Sequence, residues 1–371
     1  MTSDAPSPSL PRSAGEGIAA TSLPLPLAGE GRGEGVATFD DEHRGLTRRL
    51  HQFLHDNPTI VPFIVLLLAV ALFSLIVGHR FFHPFNLSLV LQQVTIIAIL
   101  GSAQTLIILT AGIDLSVGAI MVLSSVVMGR LAVLNGVPIE LAFPLGLVVG
   151  LACGAVNGAL VTLLKLPPFI VTLGTWSIFG ALNLWYSRSE TIRQQDVEAA
   201  APFLQWLGTA FRFWGARLTY GSLLMIALAA FIWYVLQRTA FGRHIHATGN
   251  DPDAARLAGI NITGVVIGVY TIAGVICSIA GWALIGRIGA ISAISGAEAN
   301  LDSITAVVIG GTSLFGGRGS IIGTLVGALI VGVFRNGLAL AGADALWQEF
   351  AIGLLIIIAV AIDQWIRKAA A

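Results

Sequence analysis

From residue 59 to residue 364 the chain is a succession of apolar runs separated by short marked breaks, and this constrains its fold more than any motif. About 20 apolar residues in a helix span the hydrocarbon core of a bilayer. Ten runs meet or approach that length: 59–78, 87–109, 115–135, 141–164, 168–187, 219–237, 262–286, 301–316, 319–341 and 346–364. They predict an all-α, polytopic membrane protein of ten transmembrane helices. Hydrophobic residues make up 56% of the chain and mean hydropathy is +0.85, more apolar surface than a soluble core could bury.

The N-terminal region reads differently. Residues 1–44 are rich in Pro, Gly, Ser and Glu, repeat the tetrapeptide AGEG, and are expected to form a disordered tail. They lack the basic, apolar and small-residue succession of a cleavable signal peptide. Residues 45–58 place Leu46, Leu50, Phe53 and Leu54 on one helical face, as expected of an interfacial amphipathic helix. The membrane domain then runs over 59–371. With both termini in the cytoplasm, 12 of the 20 Lys and Arg lie inside, including Arg48, Arg49, Arg367 and Lys368, so positive charge favours that orientation.

The spans carry small residues at fixed spacing. Gly146, Gly150, Gly154 and Gly158 recur every four residues, and Gly319, Gly323 and Gly327 repeat the pattern. Lipid gives helices no hydrophobic reason to associate, so faces of this kind serve close helix packing. The neutral amides Gln92, Gln93, Gln104, Asn157, Asn183, Asn300 and Asn336 lie within or beside spans. They are candidates for a solute pathway or gate, set against the commoner role of hydrogen bonding helix to helix. Asp114, after a Gly-Ile turn, is expected to cap the third span.

Several function classes find no support. No histidine lies inside a span, and the carboxylates sit at span ends, unlike a carrier driven by protons or sodium. No HExxH pair is present. Cys153 and Cys277 fall in apolar runs and read as packing residues. Neither Lys165 nor Lys368 completes a Walker A motif, so the chain cannot itself hydrolyse ATP. No catalytic, cofactor-binding or metal-binding residues are expected, and a net charge of zero points to no nucleic-acid partner. A passive pore, or a subunit driven by a partner, remains.

One polar stretch interrupts the apolar pattern, TAFGRHIHATGNDPDAARLAGINI, residues 239–262. Asp251, or Asn250 before it, can cap a helix. Pro252 suits the first helical position, Asp253 complements the positive end of the dipole, and Gly259 is placed to stop the helix. The result is a helix of about two turns, too short to be stable alone in water. Its small face suits insertion into a cleft on another protein, with Ala255 expected on that face. A capped surface turn is the plainer alternative.

GRHIHATGNDPDAARLAGINI, together with LTAGIDLSVGAI (109–120), LPPFIVTLGT (166–175) and AVVIGGTSLFGGRGSIIGTLVGALIVG (306–332), resembles the permease subunit of ribose-type ABC sugar importers. ALIGRIG and ANLDSITAVVIGG are similar to the fructose-type branch. The resemblance implies a bacterial inner-membrane channel of two permease subunits, copies or paralogues, passing a monosaccharide without chemistry on it. It also implies a cytoplasmic ATPase subunit and a periplasmic sugar-binding protein as partners, with membrane lipid around the spans. The residues matching the ATPase-coupling helix are Gly249, Asn250, Asp251, Pro252, Asp253, Ala254, Ala255, Arg256, Leu257, Ala258 and Gly259. Many family members carry Glu where this chain has Asn300. A non-ABC channel for small neutral solutes is the competing class.

Overall fold

The computed structural model describes residues 60–213, 216–296 and 298–370. The expected tail over 1–44, the interfacial helix over 45–58, and Trp214 lie outside the described residues. The first helices are α1 (Ile60–Val77), α2 (Pro84–Leu109), α3 (Val117–Gly129, extended by a π turn to Leu134), α4 (Ile139–Leu163) and α5 (Pro168–Ser187). A connection holding α6 (Gln194–Ala200) and the hairpin β1 (Ala210–Phe213) and β2 (Ala216–Thr219) leads to α7 (Tyr220–Arg238), α8 (Ala240–Asn250) and α9 (Pro252–Leu257). The chain ends with α10 (Ile262–Ile288), α11 (Ala299–Ile309), α12 (Ile321–Leu340) and α13 (Ala345–Ala370). The described residues are all-α apart from that hairpin of two four-residue strands, in which Ala210 pairs with Thr219 and Phe213 with Ala216.

Among the described residues, eight helices are long and apolar enough to cross a membrane. The ends of several are marked by the residues expected to mark them. Pro84 and Pro168 occupy first-turn positions, where a missing N–H costs nothing. Asn261 accepts from Gly264 N at 3.0 Å to cap α10, and Ser320 accepts from Ile322 N at 3.2 Å to cap α12.

The run expected to span over 301–316 does not span. Its helix, α11, has 11 residues, about 16 Å at 1.5 Å per residue and roughly half a bilayer core. Gly310, Gly311 and the polar Thr312 and Ser313 end it, while Val307, Val308 and Ile309 keep the sequence apolar up to that point.

Every residue of α2 from Val94 to Leu109 is buried, so this helix forms the centre of the bundle. Around it pack α10, α11 and α12, with α3 and α4 against α10. Leu75, Trp185 and Phe231 are among the large apolar residues that α1, α5 and α7 expose, as helices facing lipid do. Glycine sets how close the inner helices come: a Cβ at Gly154 would strike the Tyr270 carbonyl, one at Gly150 the Gly274 carbonyl, and one at Gly327 the Ala306 carbonyl. Gly146 faces Met128, Gly158 faces Ile267, Gly319 faces Thr312, and the Gly323 carbonyl lies against Gly310.

Candidate functional site

Two features stand out, a polar element at residues 239–259 and a non-helical link at 110–116. They are joined. Thr239 caps α8 by accepting from Gly242 N at 3.2 Å. Asp251 caps α9, its Oδ1 accepting from Asp253 N at 3.0 Å and Ala254 N at 2.9 Å, with Pro252 in the first turn. Ala258 and Gly259 close the helix, and Gly259 adopts φ +84°, a left-handed conformation that glycine enters without penalty.

The faces of α9 are not as expected. Ala255 is buried, 4% exposed, turned toward α8 and α10, whereas Leu257 is 91% exposed. Ala254, Arg256 and Ala258 share the open side with Leu257, and Asp253 holds Arg256 at 3.3 Å. Six residues are too few for an apolar period to declare itself, which is why sequence assigned Ala255 to the wrong side.

The element is seated on the bundle through glycine. A side chain at Gly249 would collide with the Leu109 carbonyl, the last residue of α2. Gly317 N donates to that same carbonyl at 3.0 Å, and the Gly317 carbonyl meets His246 Nδ1 at 3.0 Å. Asn250 lies against Gly317 as well. The end of α8, the end of α2 and the turn after α11 therefore form one junction.

From that junction α2 leads directly into the link, where three of the amides singled out in the sequence meet. Gln104, wholly buried, donates its Nε2 to the Asp114 carbonyl. Asn157 Nδ2 donates to Ser116 Oγ at 2.8 Å and to Asp114 Oδ2 at 3.4 Å. Asn300 Oδ1 accepts from Gly118 N, and its Nδ2 donates to the Leu115 carbonyl at 2.6 Å. Asp114, expected at a span end as the cap of α3, is instead buried, and its Oδ1 accepts from Ser116 N at 2.7 Å and Ser116 Oγ at 2.6 Å. The first-turn amide of α3 is capped by Asn300 from another helix.

The other amides lie apart. Asn336 and Asn86 exchange two hydrogen bonds, 2.8 and 2.9 Å, between α12 and α2. Asn183 Nδ2 donates to the Ala293 carbonyl at 2.8 Å. Gln92 lines a small cavity with Thr95, Thr219 and Arg287, and the Gln93 Oε1 is buried without a partner among the described residues. Sequence reasoning missed a further cluster: Arg335 on α12 reaches Asp302 at 2.9 Å, Glu349 at 2.9 Å and Glu298 at 3.3 Å. Those residues lie on three helices and the segment before α11, with no spacing to betray them.

A glycine-packed bundle with eight helices long and apolar enough to cross a membrane, and an exposed, capped polar element beside it, is the architecture of a multi-pass membrane protein. The model of the family described as branched-chain amino acid transport system / permease component matches residues 86–360, and the chain belongs to that permease family. It is 58% identical over 336 residues to the fructose import permease protein FrcC of Rhizobium meliloti, covering 91% of this chain and 93% of that one. It is 38% identical over 309 residues to the ribose import permease protein RbsC of Bacillus subtilis, covering 82% and 92%. With the D-allose transport system permease protein AlsC of Escherichia coli the identity is 33% over 306 residues, covering 82% and 91%. No solved structure matches.

Proposed function

We infer that the chain is the permease subunit of a bacterial ABC importer that carries a monosaccharide of the fructose or ribose class across the inner membrane. The observation that carries this reading is similarity along more than nine-tenths of the chain to a protein named as a fructose import permease. The family description names amino acids. The named sugar permeases cover the chain more fully, so sugar is the stronger reading.

The chain performs no chemistry on the solute and contains no Walker A motif, so energy comes from a separate ATPase. The ATPase docks on α8 and α9 in the cytoplasm, with Leu257, Ala254 and Ala258 at the contact, and the junction of Gly249, Leu109 and Gly317 carries its movement to the buried link. Both termini are cytoplasmic, a second permease subunit completes the channel, and a periplasmic binding protein delivers the sugar. In this reading Gln104, Asn157, Asn183, Asn300 and Asn336 act as structural amides, leaving Gln92 and Gln93 as the pathway candidates.

Reconstitution tests the whole reading. The chain is placed in proteoliposomes with the ATPase and binding protein encoded beside it, and uptake of labelled fructose, ribose and leucine is followed with and without ATP. ATP-dependent entry of one of the two sugars is expected. Entry of leucine alone would move the chain to the amino-acid side of the family, and sugar entry without ATP would favour the passive channel.

A further inference from the structure

We propose that Gln92, Thr95, Thr219 and Arg287 form an outer subsite that takes one hydroxyl-bearing edge of the sugar, a proposal that rests on the sugar-permease reading above. The space comes first. These residues of α2, the hairpin and α10 line one partly enclosed cavity, with Leu207 and Gly208 also on its wall. Its enclosed part is about 40 Å³, room for about three water molecules. That is too little for a whole sugar and enough for two or three of its hydroxyls.

Its place in the fold suits an arriving solute. The 27 residues of α10 are about 40 Å long. This helix begins just after α9, and Arg287 is its last residue but one. With α9 on the cytoplasmic side, the cavity lies at the opposite, periplasmic end.

The hydrogen-bonding groups then select the occupant. Thr95 Oγ1 donates to the Leu91 carbonyl at 2.8 Å, so in its 3.2 Å contact with Ser222 Oγ it accepts. Ser222 has thereby used its proton, and Thr219 Oγ1 is the donor in its 3.0 Å contact with Ser222 Oγ. The three protons run in one direction, and what Thr95 and Thr219 have left to offer is lone pairs. Arg287 is the reverse, a group with donors only. It has no ion pair among the described residues, and Asp302, Glu298 and Glu349 are taken up by Arg335. The Gln92 amide, which both donates and accepts, has no hydrogen bond among the described residues either. A cation would meet the charge of Arg287 and an anion would meet the lone pairs, whereas an alcohol donates to the threonines and accepts from the guanidinium. Sugar hydroxyls would replace the waters of the cavity nearly one for one, which gives the weak hold that passage requires.

The test is saturation-transfer NMR on the purified full chain in lipid nanodiscs, with millimolar fructose, ribose or leucine, beside uptake by the reconstituted assembly. Wild type should transfer saturation to one of the sugars and not to leucine. Arg287→Met and Gln92→Leu should each weaken that sugar's affinity about ten-fold, as expected for losing a hydrogen bond to a charged or polar partner, and slow its uptake, with the unfolding midpoint unchanged. Gly174→Leu, on an open face of α5, should keep the signal. Should Arg287→Met fail to fold, Gln92→Leu decides. Sugar uptake by wild type with no transfer signal, or a signal undiminished in the cavity variants, would overturn the subsite, leave a water-filled crevice, and let the transport reading stand. Uptake of leucine alone would overturn that reading and the subsite with it.

Discussion

Asn300 illustrates how much a single amide can carry in this fold. It accepts from Gly118 N and donates to the Leu115 carbonyl, so it both caps α3 and satisfies the link before it. Only a side chain with one acceptor and one donor can do both. Asn300→Asp keeps the acceptor, loses the donor and brings a second carboxylate to the region of Asp114. Leaving the Leu115 carbonyl unpaired costs about 1–3 kcal/mol. A fall of a few degrees in the unfolding midpoint is expected, and a midpoint equal to wild type would show the Leu115 bond to be dispensable. Gly249 is constrained by space: in Gly249→Ala the new Cβ meets the Leu109 carbonyl, and overpacking of this kind costs about 1–3 kcal/mol. The variant should unfold earlier and take up less sugar. Full uptake at wild-type membrane level would mean that the junction tolerates separation.

At the scale of the element, α9 separates what sequence could and could not reveal. Its ends were legible because capping is local chemistry: Asp251, Pro252 and Gly259 stand where the termini fall. Its orientation was not, because which side of a six-residue helix faces the bundle depends on α8 and α10. The half-length of α11 was hidden for a related reason, since apolar residues fill it up to Gly310 and hydropathy cannot see that the chain turns inside the bundle. Two substitutions on α9 should therefore behave differently. Leu257→Glu places a charge on the exposed side, where the docking proposed above would require it to be desolvated. It should leave membrane level and thermal stability unchanged while abolishing co-purification of the ATPase and sugar uptake together. Ala255→Glu inserts a charge into a buried position and should lower stability before any partner is added. Wild-type ATPase retention in Leu257→Glu would remove this face from the docking surface.

Across the whole molecule, helix packing rests on backbone meeting backbone, and glycines identical in sequence differ in what they support. The all-α class was readable from apolar run length, as was the four-residue glycine spacing in α4. Of the ten runs expected to span, eight form helices long and apolar enough to cross, while 301–316 and 346–364 give only the shorter apolar helical stretches Ala299–Ile309 and Ala345–Ile358 among the described residues. The partner helix was not readable, because nothing in the spacing says that Gly150 and Gly154 meet Gly274 and Tyr270 on α10, more than 100 residues away. On α5, Gly174 and Gly180 have no neighbour within 4 Å of a built Cβ. The comparison gives a prediction with its own control. Gly154→Leu must push α4 off α10 along much of their length, since no flexible side chain stands in the way to yield, only the Tyr270 carbonyl and the Gly274 backbone. Gly174→Leu adds the same bulk to an open surface. Both variants would be expressed alongside wild type, quantified in membranes, and heated in detergent with aggregation as the readout. Gly154→Leu should show a severalfold lower folded yield and a lower midpoint, and Gly174→Leu should match wild type on both. If the two variants were equally impaired, added volume in a span, rather than the approach of α4 to α10, would be what the fold cannot accept.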